Sequence, residues 1–270
     1  MSILIITSTF DREQLLLRAI KSVIDSFPKN YKYLHVVVND STVPLSNEVL
    51  SKASEKLIFL QNEVNSGKNI SVHRTITEMG SDFNYALSLD DDDILLQDIS
   101  RYNYEKVEYA IVAHPKLLTS SPMTAKSSPS LSFEYFQSAI DLVGARKKTE
   151  ISFALRIDTY QKLISKITPL ISRVGPELAI YDVVSRDAGG LIFQNYPVMA
   201  CEYQDDGMTA GFRRRVRQNP GDFLAYYAYM AKNVVSLQSR LYFFGCFGYC
   251  VFWQLFNCMI PAFLRARYKG

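Results

Sequence analysis

Asp90, Asp91, Asp92 and Asp93 stand side by side, behind the apolar run Tyr85-Ala86-Leu87-Ser88-Leu89 and ahead of Ile94. Packed carboxylates repel and raise one another's pKa, so such a cluster calls for a cation. Hard divalent ions take oxygen ligands and bridge one or two carboxylates to a substrate's phosphates. Acids at the end of a buried strand therefore read as a metal–phosphate site. The plain alternative is a solvated acidic loop.

Other polar tips accompany the cluster. Thr7-Ser8-Thr9-Phe10-Asp11-Arg12 follows the apolar run 3–6, and Asn39-Asp40-Ser41-Thr42 follows the run 34–38. Asn65-Ser66-Gly67-Lys68 follows the run 57–60. Helical stripes lie between the runs, at 12–27 (Leu16, Ala19, Ile20, Val23, Ile24, Phe27) and at about 69–79, with Gly80 as a stop. Strands alternating with helices imply parallel pairing, and ligands of such sheets bind beyond the carboxyl ends of the strands. The four polar tips are predicted to gather at that edge. Further on, 109–113 and 152–157 read as strands, 159–167 and 177–187 as helices, and 191–194 and 198–203 as late strands. The Ser/Pro-rich stretch 119–132 reads as a loop and Asp205-Asp206-Gly207 as a turn.

At 270 residues the chain is long enough for one large domain, or one domain with an appendage. Its net charge of +3 is unevenly placed. From Asp205 onward there are nine Lys/Arg against three Asp, which leaves −3 for the first 204 residues. This basic end, rich in apolar residues, suits an anionic membrane surface rather than nucleic acid. Cys201, Cys246, Cys250 and Cys258 form no CxxC pair, and His35, His73 and His114 show no metal-site spacing. A reducing cytosol is expected, without a secretory signal.

In order and spacing, the four tips resemble the family 2 glycosyltransferases of the GT-A fold. The turn after the first strand is similar to that family's Thr-aromatic-Asn/Asp turn. Asn39-Asp40-Ser41-Thr42 resembles its second-strand turn, Asn65-Ser66-Gly67-Lys68-Asn69 its Asn-x-Gly loop, and Leu89-Asp90-Asp91-Asp92-Asp93 its DxD motif. The likeness covers roughly the first hundred residues, then continues more loosely to about Thr209 through Phe153-Ala154-Leu155-Arg156 and the segment 175–186. The resemblance implies a Rossmann-like α/β fold with a mainly parallel sheet flanked by helices. It implies an inverting sugar transfer from a nucleotide-diphosphate sugar, with a UDP-sugar favoured, aided by Mn²⁺ or Mg²⁺. It also implies that Thr9, Phe10 and Asp40 hold the nucleotide base, with Asp11 in the same turn. Arg74 or Lys68 would face the diphosphate and Asp91 the ribose. Asp90 and Asp92 would serve the metal, Asp92 as the direct ligand. The chain departs from the family pattern twice: His73-Arg74 stands about one position away from the usual Arg-Asn pair, and the usual Glu-Asp pair is not intact. The catalytic base is then Glu177, after Gly175-Pro176 at a helix start, or second Asp182, four residues before Arg186. Five helical positions separate these acids, so only one is expected to face the site.

Between Arg240 and Arg265 lie 24 uncharged residues with nine aromatics, interrupted by Gly245, Gly248, Gln254, Asn257 and Pro261. As one helix they would reach about 36 Å. Aromatics favour the headgroup interface and flanking Lys/Arg favour anionic lipid. One or two helices lying in the cytoplasmic leaflet are expected, or a shallow re-entrant hairpin. A single span is the second reading, and a helix packed on the sheet or between copies the third. The expected organisation is a transferase domain over 1–212 (nucleotide-binding half 1–100, acceptor half 101–212) and a membrane-associating helical region over 213–270. The natural place is the cytoplasmic face of the plasma membrane, with a lipid-linked oligosaccharide or glycolipid acceptor in surface-polysaccharide assembly. Two rivals stand beside this reading. A nucleotidyltransferase would want a glycine-rich loop where Thr7 to Arg12 lie, and a degenerate scaffold would have no need of four adjacent acids.

Overall fold

A computed structural model of the chain describes residues 2–96, 111–118, 133–146, 151–195, 197–201 and 212–259. Strands β1 (Ser2–Thr9), β2 (Lys32–Asn39), β3 (Leu57–Gln61) and β4 (Tyr85–Ser88) alternate with helices α1 (Glu13–Ser26), α2 (Asn47–Leu50) and α3 (Lys68–Met79). The strands pair in parallel in the order β3-β2-β1-β4. Ile3, Leu4, Ile5 and Ile6 are all fully buried because β1 is covered on both faces. Ile3 and Ile5 pack with Ala19 and Val23 of α1, while Leu4 and Ile6 face Ile76 of α3 on the other side. The period-2 alternation of a strand thus serves two helical layers at once.

Beyond β4 the sheet changes character. Next come β5 (Asp93–Leu95), β6 (Ile111–Leu118), β7 (Phe133–Phe136), α4 (Ala139–Ala145) and β8 (Ile151–Arg156). They are followed by α5 (Ile157–Lys162), α6 (Ile164–Ile167), α7 (Leu178–Asp187), β9 (Leu191–Gln194) and β10 (Met199–Cys201). β8 runs antiparallel between β4 and β6, and β10 joins β6 in parallel and β5 antiparallel. The whole is a mixed, mainly parallel sheet of GT-A type, as expected. The elements differ from the sequence reading in detail. The expected strand at 109–113 runs on through Leu118; its first two residues lie outside the described part of the chain. The expected helix at 159–167 is two short helices meeting at Leu163. The late strand at 198–203 is described only as Met199–Cys201. The expected loop at 119–132 and turn at 205–207 lie outside the described residues.

The C-terminal part forms α8 (Phe212–Gln218), α9 (Gly221–Asn233) and α10 (Leu237–Met259). Phe243, Cys246, Phe247 and Cys250 of α10 close over Val216, Phe223 and Tyr227, together with Val174 from the main domain. The expected one or two helices are a single continuous helix as far as Met259, through Gly245 and Gly248. By length and composition alone, Leu237–Cys258 could cross a membrane. Its other face, with Leu237, Leu241, Phe244, Phe252 and Leu255, is exposed. Phe223 is fully buried at the centre of the helical cluster. Phe223→Ala should cost about 3–5 kcal/mol in urea unfolding and make the link between α9 and α10 sensitive to limited proteolysis.

Candidate functional site

The tips of β1 to β4 converge at the carboxyl edge of the parallel strands. β1 and β4 lie side by side, so Thr9 to Arg12 meet the acidic turn directly: Leu89 N–H donates to the Ile6 carbonyl. The turn itself closes through Asp93 N–H to the Asp90 carbonyl at 3.0 Å. Its four side chains alternate. Asp91 and Asp93 are buried, whereas the side chains of Asp90 and Asp92 are 35% and 19% exposed.

Three cations from three elements neutralise the turn. Arg12 reaches Asp91 at 2.7 Å and Asp92 at 3.1 Å. Lys116 of β6 lies 2.6 Å from Asp93 and 4.0 Å from Asp90. Lys68, the first residue of α3, lies 2.5 Å from Asp90 and 2.9 Å from Glu177. Burial raises the Asp91 carboxyl to about 6, against the pull of Arg12 and of the Thr9 hydroxyl, which donates to it at 2.8 Å. Burial likewise raises Asp93 to about 6 despite Lys116. Burial would also raise Asp90, but Lys68 and Lys116 outweigh it and hold that carboxyl at about 2. Burial works to lower the Lys68 pKa, yet Asp90 and Glu177 carry it well above the usual value, so the ammonium stays charged.

The second tip is occupied with its neighbour. Asp40 is buried, and its carboxylate accepts from Asn62 Nδ2 and Ser66 N–H, both at 2.7 Å, and from Gly67 N–H at 2.6 Å. It thereby fixes the loop that opens α3. Gly67 sits at φ +86, where a side chain is strained, and a Cβ there would run into the Arg173 carbonyl. Asn62 also accepts from Arg74. Of the two basic candidates for the diphosphate, the structure therefore brings Lys68 to the acidic turn and ties Arg74 to Asn62. Phe10 is 47% exposed beside the turn. Asp11, at φ +55, accepts from the Ser41 hydroxyl at 2.5 Å.

The two candidate bases separate cleanly. Glu177 lies at the start of α7, where Oε1 meets Lys68 and Oε2 accepts from Tyr181 OH at 2.8 Å. Tyr181 is stacked on Phe153, which holds the hydroxyl in place. Asp182 is fully buried elsewhere: it accepts from Ile140 N–H (2.9 Å), Arg186 Nε (2.7 Å) and Tyr229 OH (2.8 Å). It joins α4, α7 and α9 and does not touch the acidic turn. His73 is tied to Tyr160 at 2.9 Å. Sequence reasoning missed the parts played by Arg12, Lys116 and Tyr181. Arg12 was the one signal available, as the only cation in the first tip.

A sequence model described as glycosyl transferase family 2 matches residues 4–111, the segment that holds all four tips. No curated protein sequence matches the chain. Among solved structures the chain is similar to S. aureus TarS. For TarS 1–349 the TM-score is 0.61 at 12% identity, over 92% of this chain and 70% of that one. For TarS 1–349 in complex with UDP-GlcNAc it is 0.57 at 13% identity, over 93% and 72%. For a longer TarS structure it is 0.55 at 13% identity, over 98% and 50%. At such identities the likeness is one of fold.

The Asp182 network makes a sharp contrast with Glu177. Asp182→Ala would leave a buried amide, a tyrosine hydroxyl and Arg186 without their acceptor, and should cost about 3 kcal/mol in urea unfolding. Glu177→Gln keeps its shape in a half-exposed place and should change stability by less than about 1 kcal/mol.

Proposed function

We propose that the chain is an inverting, metal-dependent glycosyltransferase that moves a sugar from a nucleotide-diphosphate donor to a hydroxyl of a lipid-linked oligosaccharide or glycolipid. One observation carries this reading: a single side chain, Lys68, bridges the acidic turn and Glu177, so donor-side acids and candidate base lie side by side. The family match over 4–111 supports transfer chemistry, and the UDP-GlcNAc complex of TarS supports a UDP-sugar as donor.

The donor set suits a divalent ion. Five carboxylates, Asp90 to Asp93 and Glu177, face the three cations Arg12, Lys68 and Lys116. Fully ionised, they leave a charge of −2. Among the described residues no three His, Cys, Asp or Glu side chains are grouped to hold an ion alone. A Mg²⁺ or Mn²⁺ ion here would take one or two carboxylates and complete its shell with diphosphate oxygens and water. Asp92 and Asp90, the two accessible acids, would hold it, and its contribution is to neutralise charge on the departing diphosphate. Lys68 is placed to meet the same phosphates, exchanging its contact with Asp90 for them. Thr9, Phe10, Asp11 and Asp40 would frame the nucleoside, Asp40 chiefly by fixing the loop at Gly67, and Asp91 would approach the ribose. Glu177 takes the proton of the acceptor hydroxyl as that oxygen bonds to the anomeric carbon. On the opposite side the bond from that carbon to the diphosphate oxygen breaks, and the nucleoside diphosphate leaves with the electron pair. Tyr181 steadies the carboxylate during the transfer.

The exposed apolar face of α10 and the arginines at 213, 214 and 240 support attachment to the cytoplasmic face of the plasma membrane, with 213–270 as the attaching region and 1–212 as the transferase domain. A scaffold reading draws on one observation, that each of the four aspartates already has a cation beside it.

Thermal shift with UDP, GDP and dTDP, with and without Mn²⁺, tests both. Stabilisation by UDP that needs Mn²⁺ and is lost in Asp92→Asn is the expected outcome; no stabilisation by any of the three would leave the scaffold. Glu177→Gln should keep the UDP shift while turnover falls by about 10²–10⁴-fold.

A further inference from the structure

We propose that the cleft between the α8–α9 turn and the C-terminal part of α10 binds the sugar rings of the acceptor. This rests on the transferase reading and adds a second, separate site to it. The cleft offers about 320 Å³, is open to solvent, and is lined by Gln218, Asn219, Asp222, Gln254 and Asn257, together with Pro220, Gly221 and Cys258. That volume lies at the small end of ligand clefts, which run from ~300 to ~1,000 Å³.

The chemistry of the lining selects the ligand. Gln218, Asn219, Asp222 and Gln254 make no side-chain hydrogen bond to another of the described residues, and Asn257 gives only one, to the Arg217 carbonyl at 3.1 Å. Each carboxamide offers two N–H donors and a carbonyl acceptor, and the carboxylate of Asp222 only accepts. A sugar hydroxyl both donates and accepts, so a ring bearing several of them can satisfy such a set. Among the described residues no Lys or Arg lines the cleft and one Asp does, which disfavours a phosphate or carboxylate there. An acyl or isoprenoid chain would leave the amides unpaired.

Its position ties the cleft to the candidate base. The Asp222 carbonyl lies against Gly175, where a Cβ would come within 2.8 Å of it. Gly175 stands two residues before Glu177, and its carbonyl accepts from Asn69, the neighbour of Lys68, at 2.6 Å. Val174 packs into the same helical cluster. One short loop therefore touches the backbone of a lining residue at Gly175 and leads into Glu177 two residues on. Gln254 and Asn257 also lie towards the docked side of α10, about 100–160° round the helix from the exposed Leu241, Phe252 and Leu255. That arrangement suits a glycan held on the protein side of the helix while its carrier lipid lies on the far side.

The probe is a printed array of bacterial surface oligosaccharides, read with the fluorescently labelled full chain and with the double variant Asn219→Ala/Gln254→Ala. The wild type should bind a restricted set of glycans, and the variant should lose at least tenfold in signal on them. Both proteins should keep the same melting shift with UDP and Mn²⁺, which shows the variant folded and the donor site intact. Equal binding by the variant, or no binding of the wild type to any glycan, would overturn the site. The same oligosaccharides are then presented on an isoprenyl diphosphate in lipid vesicles, which separates free from lipid-borne ligands. Vesicle binding that ignores the double substitution would also overturn it. Loss of the UDP shift in the wild type, by contrast, would strike at the transferase reading and not at the cleft.

Discussion

The neutralisation of four adjacent aspartates is the constraint around which this molecule is arranged. Buried carboxylates at this density repel, and burial, the largest cause, pushes Asp91 and Asp93 up to about 6 even with cations beside them. The compensating charges come from separate parts of the chain: Arg12 at the head of α1, Lys68 at the head of α3 and Lys116 on β6. Each arrival fixes an element. Arg12 ties the first strand tip to the fourth, Lys116 joins the second half of the sheet to the first, and Lys68 draws α7 towards the turn by holding Glu177. The alternation of buried and accessible acids then leaves Asp90 and Asp92 facing the open side. The same few contacts that make the turn tolerable also set which of its oxygens a ligand can reach.

Much of the first half could be read from sequence for a simple reason. β1, β2 and β3 lie between two helical layers, so their apolar runs are nearly unbroken, and α1 shows its stripe at Leu16, Ala19, Ile20 and Val23. The second half gave weaker signals. A buried strand carries the same residues whichever way it runs, so the antiparallel insertion of β8 left no mark. Phe133, Glu134 and Tyr135 of β7 are exposed on a pairing edge, without an inward alternation to recognise. Within the site, Asp90, Asp92 and Glu177 could be singled out as candidates from the ordered motifs. The partners could not, because Arg12 and Asp92 are 80 residues apart and Lys116 and Asp93 are 23 apart. The sequence already favours Glu177 over Asp182; the helix adds that about 140° of rotation separates them, enough to turn one towards the acidic turn and the other into the core.

The C-terminal helix shows composition and packing pulling together. Gly245 and Gly248 each weaken a helix by about 1 kcal/mol relative to alanine. The docking of Phe243, Phe247 and Cys250 on α9 offsets this, so the helix continues where sequence alone suggested a break. Both glycines have open space where a side chain would be. They thin the helix without being required by any neighbour among the described residues.

The Asp182 carboxylate has a mechanical consequence. It holds α9 through Tyr229, α4 through the Ile140 amide, and its own helix through Arg186. α10 is packed on α9, and the other end of α7 presents Glu177. The ten residues of α7 make a stiff strut of about 15 Å. A push or tilt applied to α10 therefore has a rigid route to the Glu177 carboxylate, and whatever surface α10 rests on becomes part of the leverage on that group.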